Sequence, residues 1–173
     1  PSPVSSDHWA LNTTVRCQHR CVYCFEGDRH GHADLSPEEA RRLIDRAAEV
    51  VPSVIFMGAE PTLNPHLPDL VAHARSRGLR PNISTNAVRL ADAAYLRRLL
   101  DAGLNTIELS FPYPDAAVFE AITRARPAGF ARLLRALENI EQAHRGGSGV
   151  DVNLNVVVSR FNFDRLGDVL ALA

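Results

Sequence analysis

A chain of 173 residues with 46% hydrophobic and 23% charged side chains has the composition of one globular domain with a real core, which excludes disorder, collagen and coiled coil. The formal net charge of -1 leaves no concentrated basic face for nucleic acid, and no apolar run approaches the roughly 18–20 residues of a membrane helix. All 19 basic residues are Arg, so chemistry that needs an amine is excluded: a Schiff base, a pyridoxal phosphate anchor or the Lys of a phosphate-binding loop.

The chain alternates strands and helices. After a Pro/Ser lead, His8 to Arg16 reads as a strand, with Trp9, Leu11 and Val15 as its apolar members. The cysteines follow, then a polar loop from Gly27 to Asp34. Ser36-Pro37-Glu38-Glu39 starts a helix: Ser36 is the cap, Pro37 suits the first helical position and Glu39 completes a capping box. Leu43, Ile44, Ala47 and Val51 then recur at helical spacing. Val54 to Met57 is a short apolar run ending in Gly58, the pattern of a buried strand. Pro65 and Pro68 permit a second helix, which Leu70, Val71 and Ala74 carry to Gly78. Leu79 to Ser84 is the next strand, about Ala91 to Ala102 a helix, and Thr106 to Phe111 the fourth strand. Phe119 to Ile122 and Phe130 to Ala143 are helical, with Leu133, Leu134, Leu137 and Ile140 on one face. After the turn Gly146-Gly147-Ser148-Gly149, Val150 to Val158 is a strand of strong β-propensity. Asn162 is expected to cap a last helix that is still running at Ala173, so a C-terminal truncation is expected.

Strands separated by helices imply right-handed βαβ units, a parallel sheet and an α/β fold. The first strand-to-helix turn has no GxGxxG, so the dinucleotide fingerprint is missing. In such folds the functional groups gather at the carboxyl ends of the strands. The first strand ends in Cys17-Gln18-His19-Arg20-Cys21-Val22-Tyr23-Cys24, which holds all three cysteines of the chain. An odd, tightly spaced set is no disulfide framework. With no charged-then-apolar leader, a reducing cytoplasmic setting is expected. The spacing brings three thiolates around one small object. Zinc closes a structural site with four ligands, and His19 or His30 would supply the fourth. An iron–sulfur cube also takes four, and three Cys would leave one iron open, the mark of a reactive site.

Cys-x3-Cys-x2-Cys, with an aromatic before the last Cys, resembles the signature of radical S-adenosylmethionine (radical SAM) enzymes. The second strand ends in Gly58-Ala59-Glu60-Pro61-Thr62, similar to the family's Gly-Gly-Glu-Pro motif. The third ends in Ser84-Thr85-Asn86, similar to its Thr-Asn-Gly segment, and the fourth in Glu108-Leu109-Ser110, similar to its Ser-bearing strand. Asn153 to Val158 followed by Asn162 also fits. The resemblance implies a parallel-stranded partial (β/α)6 barrel. Residues 1–173 would be its core domain with about five βα units, the last unit and any C-terminal domain lying outside.

The resemblance also implies a mechanism. Cys17, Cys21 and Cys24 would hold a [4Fe-4S] cluster whose open iron chelates the amino and carboxylate groups of S-adenosyl-L-methionine. One electron would cleave the sulfonium bond, giving methionine and a 5′-deoxyadenosyl radical that takes hydrogen from the substrate. No catalytic side chain is expected beyond the cluster ligands. Tyr23 would lean over the adenine. Gly58, Ala59, Glu60 and Pro61 would bind the amino group through backbone carbonyls and the Glu60 carboxylate. Ser84 and Asn86 would contact SAM, Ser110 the ribose hydroxyls and Arg124 the carboxylate. Ala59 stands where the family has a second Gly, and Phe111-Pro112-Tyr113-Pro114 where a small polar segment is usual. Plainer roles stand beside these: loop packing for Tyr23, helix capping for Ser84 and Asn86, and solvated positions for Arg124, His19, His30 and His32. The implied partners are a peptide or small-molecule substrate such as a cofactor precursor, and a one-electron donor such as flavodoxin or ferredoxin, with no nucleic acid and no membrane. The alternative is a zinc-binding or iron–sulfur electron-transfer module without SAM chemistry.

Overall fold

The computed structural model describes residues 7–27, 33–126 and 128–172. The apolar runs form five parallel strands: β1 (Trp9–Thr14), β2 (Ser53–Gly58), β3 (Arg80–Thr85), β4 (Thr106–Ser110) and β5 (Asp151–Asn155). Their spatial order is β1-β2-β3-β4-β5. Chain order equals spatial order, so every crossover steps the same way. The sheet is therefore part of a barrel and does not wind both ways from a central strand.

Helices α1 (Pro37–Ala47), α2 (Leu67–Ser76), α3 (Ala93–Asp101), α4 (Ala116–Thr123) and α5 (Ala128–Arg145) fill the crossovers, and α6 (Leu166–Leu172) follows β5. Local chemistry sets their starts. Ser36 Oγ accepts from the Glu39 amide at 3.2 Å while the Ser36 amide donates to Glu39 Oε2 at 3.1 Å, so the capping box forms as the sequence predicts. Asp92 accepts from the Ala94 and Tyr95 amides. That cap starts α3 later than expected and leaves Val88–Ala91 as a short 3-10 turn. Asp115 caps α4 by accepting from the Val118 amide at 2.8 Å. One contiguous core joins the sheet to the helices, centred on Ile44, Phe56, Leu67, Ile83, Leu99, Ile107 and Leu133, all 0% exposed.

The last unit departs from expectation. The ladder of β5 stops at Asn155, three residues before the predicted end at Val158. β4 itself ends at Ser110, opposite Asn155, which leaves the ladder no partner further on. Asn162 does not cap the last helix, which begins at Leu166. Its side chain is fully buried. It accepts from the Ser159 amide at 2.8 Å and donates to the carbonyls of Pro112 at 2.9 Å and Val157 at 3.0 Å. The chain after β5 is thereby folded back onto the segment that follows β4. Asn162→Ala strands these groups, and its expected cost is about 2–3 kcal/mol in urea unfolding. A loss within the scatter of surface substitutions would show that the staple does not hold this turn.

Candidate active site

The carboxyl ends of β1 and β2 meet closely. Gly58 has φ +112°, and a Cβ placed there would lie 2.6 Å from the Thr14 carbonyl oxygen. The next amide, of Ala59, donates to that same oxygen at 3.1 Å. Only Gly58 needs the left-handed region; Ala59 is not among the residues of positive φ, so alanine is accommodated where the motif usually has its second glycine.

Glu60 follows, 1% exposed. Its Oε1 accepts from the Thr62 amide at 3.1 Å, the Thr62 hydroxyl at 2.6 Å and the Thr85 hydroxyl at 2.6 Å. Oε2 accepts from the Asn86 amide at 2.8 Å. Burial pushes the carboxyl above its usual range against the pull of Thr62, Thr85 and Asn86. A carboxylate has about four acceptor positions, so Oε1 is taken and capacity for an ammonium group remains on Oε2. The side chain joins the end of β2 to the end of β3. Behind it, the Tyr95 hydroxyl donates to the Thr62 carbonyl at 3.2 Å. Arg89 donates to the same carbonyl, and its guanidinium lies 4.1 Å from the Tyr95 ring centroid.

The cysteine loop is tied down from both sides. The Arg20 amide donates to the Thr123 carbonyl and the Val22 amide to the Ile122 carbonyl, both at 2.9 Å, so the loop satisfies carbonyls at the C-terminus of α4. Asn86 reaches it from β3: its Oδ1 accepts from Gln18 Nε2 at 2.8 Å, and its Nδ2 lies 3.8 Å from Cys17 Sγ. The His19 amide donates to Cys17 Sγ at 3.3 Å. Asp34 holds the return limb, accepting from the Thr14 hydroxyl and the Val15 amide and pairing with Arg16 at 2.7 Å. Cys17 and Cys21 are half-buried, Cys24 is exposed, and none of the three is in a disulfide. His19, expected in solvent, is 4% exposed, and burial lowers its pKa to about 4. Burial and the neighbouring Cys21 push the Tyr23 phenol up. His30 and His32 lie outside the described residues.

All three thiols open into one cavity of about 290 Å³ with Tyr23, Gly58, Ala59, Glu60, Ser84, Asn86 and Ser110. Ten of the twelve predicted site residues thus meet. Two do not line it. Pro61 is buried beneath Glu60, where it opens a 3-10 turn. Arg124, expected to approach the SAM carboxylate, is exposed in a left-handed turn (φ 54°) that ends α4 and stands outside this cavity. The cavity also takes in Met57, Thr85, Pro112, Tyr113 and Asn155. Of these, Asn155 faces it from β5, and Tyr113 is buried edge-on between Phe111 and Phe119. The Phe111 to Pro114 run carried the sequence signal for Tyr113; nothing local marked Met57. Larger hollows of about 520 and 400 Å³ open beside α3 and α5 but hold no thiol. Among the described residues no three His, Cys, Asp or Glu side chains converge on a single ion.

Parallel βα units whose strand ends crown a thiol-lined cavity define a partial α/β barrel with its functional groups at the carboxyl ends of the strands. The chain belongs to the radical SAM superfamily, whose family model matches residues 11–173. Members of this family use a [4Fe-4S] cluster and S-adenosylmethionine. Over 164 residues the chain is 37% identical to the PqqA peptide cyclase of Granulibacter bethesdensis, covering 92% of this chain and 42% of that protein. It is 33% identical over 156 residues to the Fe-coproporphyrin III synthase of Methanosarcina barkeri, covering 87% of this chain and 37% of that protein. The chain therefore spans less than half the length of these relatives. Among solved structures, Streptococcus suis SuiB bound to its precursor peptide SuiA superposes with a TM-score of 0.75 at 18% identity, over 96% of this chain and 36% of that one. anSMEcpe with bound AdoMet and Kp18Cys peptide gives 0.74 at 19% identity, over 95% of this chain and 48% of that one. These likenesses show the fold, a partial radical SAM barrel.

Proposed function

We propose that this chain is the core of an enzyme that cleaves S-adenosylmethionine reductively and uses the radical to take hydrogen from a peptide. The observation that carries the reading is the shared cavity: three thiols open into the same space as the backbone of Gly58 to Glu60 and the polar ends of β3, β4 and β5. The three cysteines fit a cube with one iron left for SAM. When bound, the reduced cluster supplies one electron that splits SAM into methionine and a 5′-deoxyadenosyl radical.

The chain's own residues hold and shield. Backbone at Gly58 and Ala59 and the remaining acceptor capacity of Glu60 Oε2 receive the SAM ammonium group. Ser84, Ser110 and Asn155 offer hydrogen bonds to its polar groups, and Tyr23 offers an aromatic face to the adenine. Pro112 and Tyr113 close the β4 side of the cavity with apolar surface, which keeps water from a reactive radical. A peptide substrate is supported by the likeness to PqqA peptide cyclases; a cofactor precursor, by that to Fe-coproporphyrin III synthase, is the second choice. The electron comes from a one-electron donor such as flavodoxin or ferredoxin.

The test is anaerobic reconstitution of the full-length protein, followed by reduction in the presence of SAM. The expected results are brown protein with at least four irons per chain and formation of 5′-deoxyadenosine. A colourless protein with one zinc per chain, or an iron–sulfur protein that forms no 5′-deoxyadenosine, overturns the reading.

A further inference from the structure

His19 carries a polar atom that the fold leaves unsatisfied. The side chain is 4% exposed and stands edge-on to Phe119, with ring centroids 5.4 Å apart and an interplanar angle of 84°. Its Nδ1 has no hydrogen-bond partner among the described residues. Buried polar atoms in folded proteins are nearly always paired, and a slot against a phenylalanine ring would take an aliphatic side chain at no such cost. The imidazole therefore has a use for something the polypeptide does not supply. Its surroundings say what. The ring lines the thiol cavity, it lies midway in sequence between Cys17 and Cys21, and its own amide already donates to Cys17 Sγ at 3.3 Å.

We infer that His19 Nδ1 donates a hydrogen bond to a sulfur of the cluster held by Cys17, Cys21 and Cys24, making His19 a positioning residue that tunes the cluster's reduction. The inference rests on the proposed cluster. Hydrogen bonds to cluster sulfurs stabilise the more negative, reduced state and so raise the potential. The ring packs edge-on to Phe119 and is 4% exposed, which keeps water from replacing the donor.

Three variants of the full-length protein separate a donor from a space-filler. His19→Leu and His19→Met fill the slot without an N–H. His19→Asn places an amide nitrogen close to the position of Nδ1 and keeps the donor. The readout is the cluster's midpoint potential in a redox titration followed by electron paramagnetic resonance, with iron and sulfide content measured first. Reduction of the Leu and Met variants is expected to be about tenfold less favourable, about 59 mV lower for a one-electron couple. The Asn variant is expected to stay near the wild type, and all four proteins to carry equal iron. Wild-type potential in both donor-free variants, or an Asn variant shifted as far as they are, overturns the inference. Wild-type protein without cluster iron fails the parent reading instead, and that is visible in the metal content before any titration.

Discussion

Glu60→Ala is expected to destabilise the fold by about 4 kcal/mol, near the top of the range for a single substitution. The side chain is 1% exposed and accepts from two hydroxyls and two amides. Removing it strands the buried Thr62 and Thr85 hydroxyls and the buried Thr62 amide, and leaves the half-buried Asn86 amide facing the cavity without its acceptor. Each buried donor left unmade costs about 1–3 kcal/mol, and the sum is reduced because the loop relaxes. In a domain of this size the melting midpoint falls by about 2–4 °C per kcal/mol, so a drop of about 10 °C is expected. Glu60→Gln keeps an oxygen for the three donors at Oε1 but turns an NH2 toward the Asn86 amide, donor against donor. Roughly half the loss is expected from it. Paired substitutions of Glu60 and Thr85 in a double-mutant cycle should be non-additive by about 0.5–3 kcal/mol. Additive losses would show that the carboxylate does not join β2 to β3. The functional consequence follows from what Asn86 does next: its side chain holds Gln18 and approaches Cys17. Loss of the brace at Glu60 therefore loosens the cysteine loop without touching a cysteine.

What could be read from the chain divides along the range of the interactions. The α1 start at Ser36 to Glu39 forms as predicted, because a capping box is complete within four residues. The strands of the first four units fall within a residue or two of their expected ends, because short apolar runs closed by Gly, Asn or Pro have few other folds. Ten site residues converge because the parallel topology gathers strand ends regardless of loop detail. The departures come from contacts between distant residues. Asn162 looks like a helix cap in isolation, and its partner at Pro112, 50 positions away, makes it a staple. Glu60 looks like a ligand-binding carboxylate, and Thr85, 25 positions away, makes it a brace as well. Only motif position points to Arg124, and it is exposed in a left-handed turn at the end of α4. His19 shows a third case. A histidine in a polar loop reads as solvated, and it is buried because the loop lies across the C-terminus of α4, against Phe119.

Gly58→Ala is expected to cost about 2–4 kcal/mol and to weaken SAM binding by about tenfold or more. Two costs coincide at this position. The φ of +112° is closed to L side chains without strain, and the added Cβ would stand 2.6 Å from the Thr14 carbonyl oxygen, a backbone atom with no rotamer to yield. Relief requires β1 and β2 to part where they pair, at Thr14 and Gly58. That same oxygen accepts from the Ala59 amide, and β1 runs on directly into Cys17. A displacement at Gly58 therefore moves both sides of the cavity in opposite directions, the thiols with β1 and the Ala59–Glu60 backbone with β2. Ala59→Gly is the control. Ala59 has no positive φ to relieve, so glycine there only adds freedom to the unfolded chain, at about 0.5–1 kcal/mol, and leaves SAM binding as it was. Equilibrium binding of SAM to the reconstituted protein, with thermal melts of the same samples, checks both variants. Equal losses at positions 58 and 59 would trace the effect to general loosening of the turn. A loss confined to position 58 traces it to the close approach of two strand ends, on which the shape of the cavity depends.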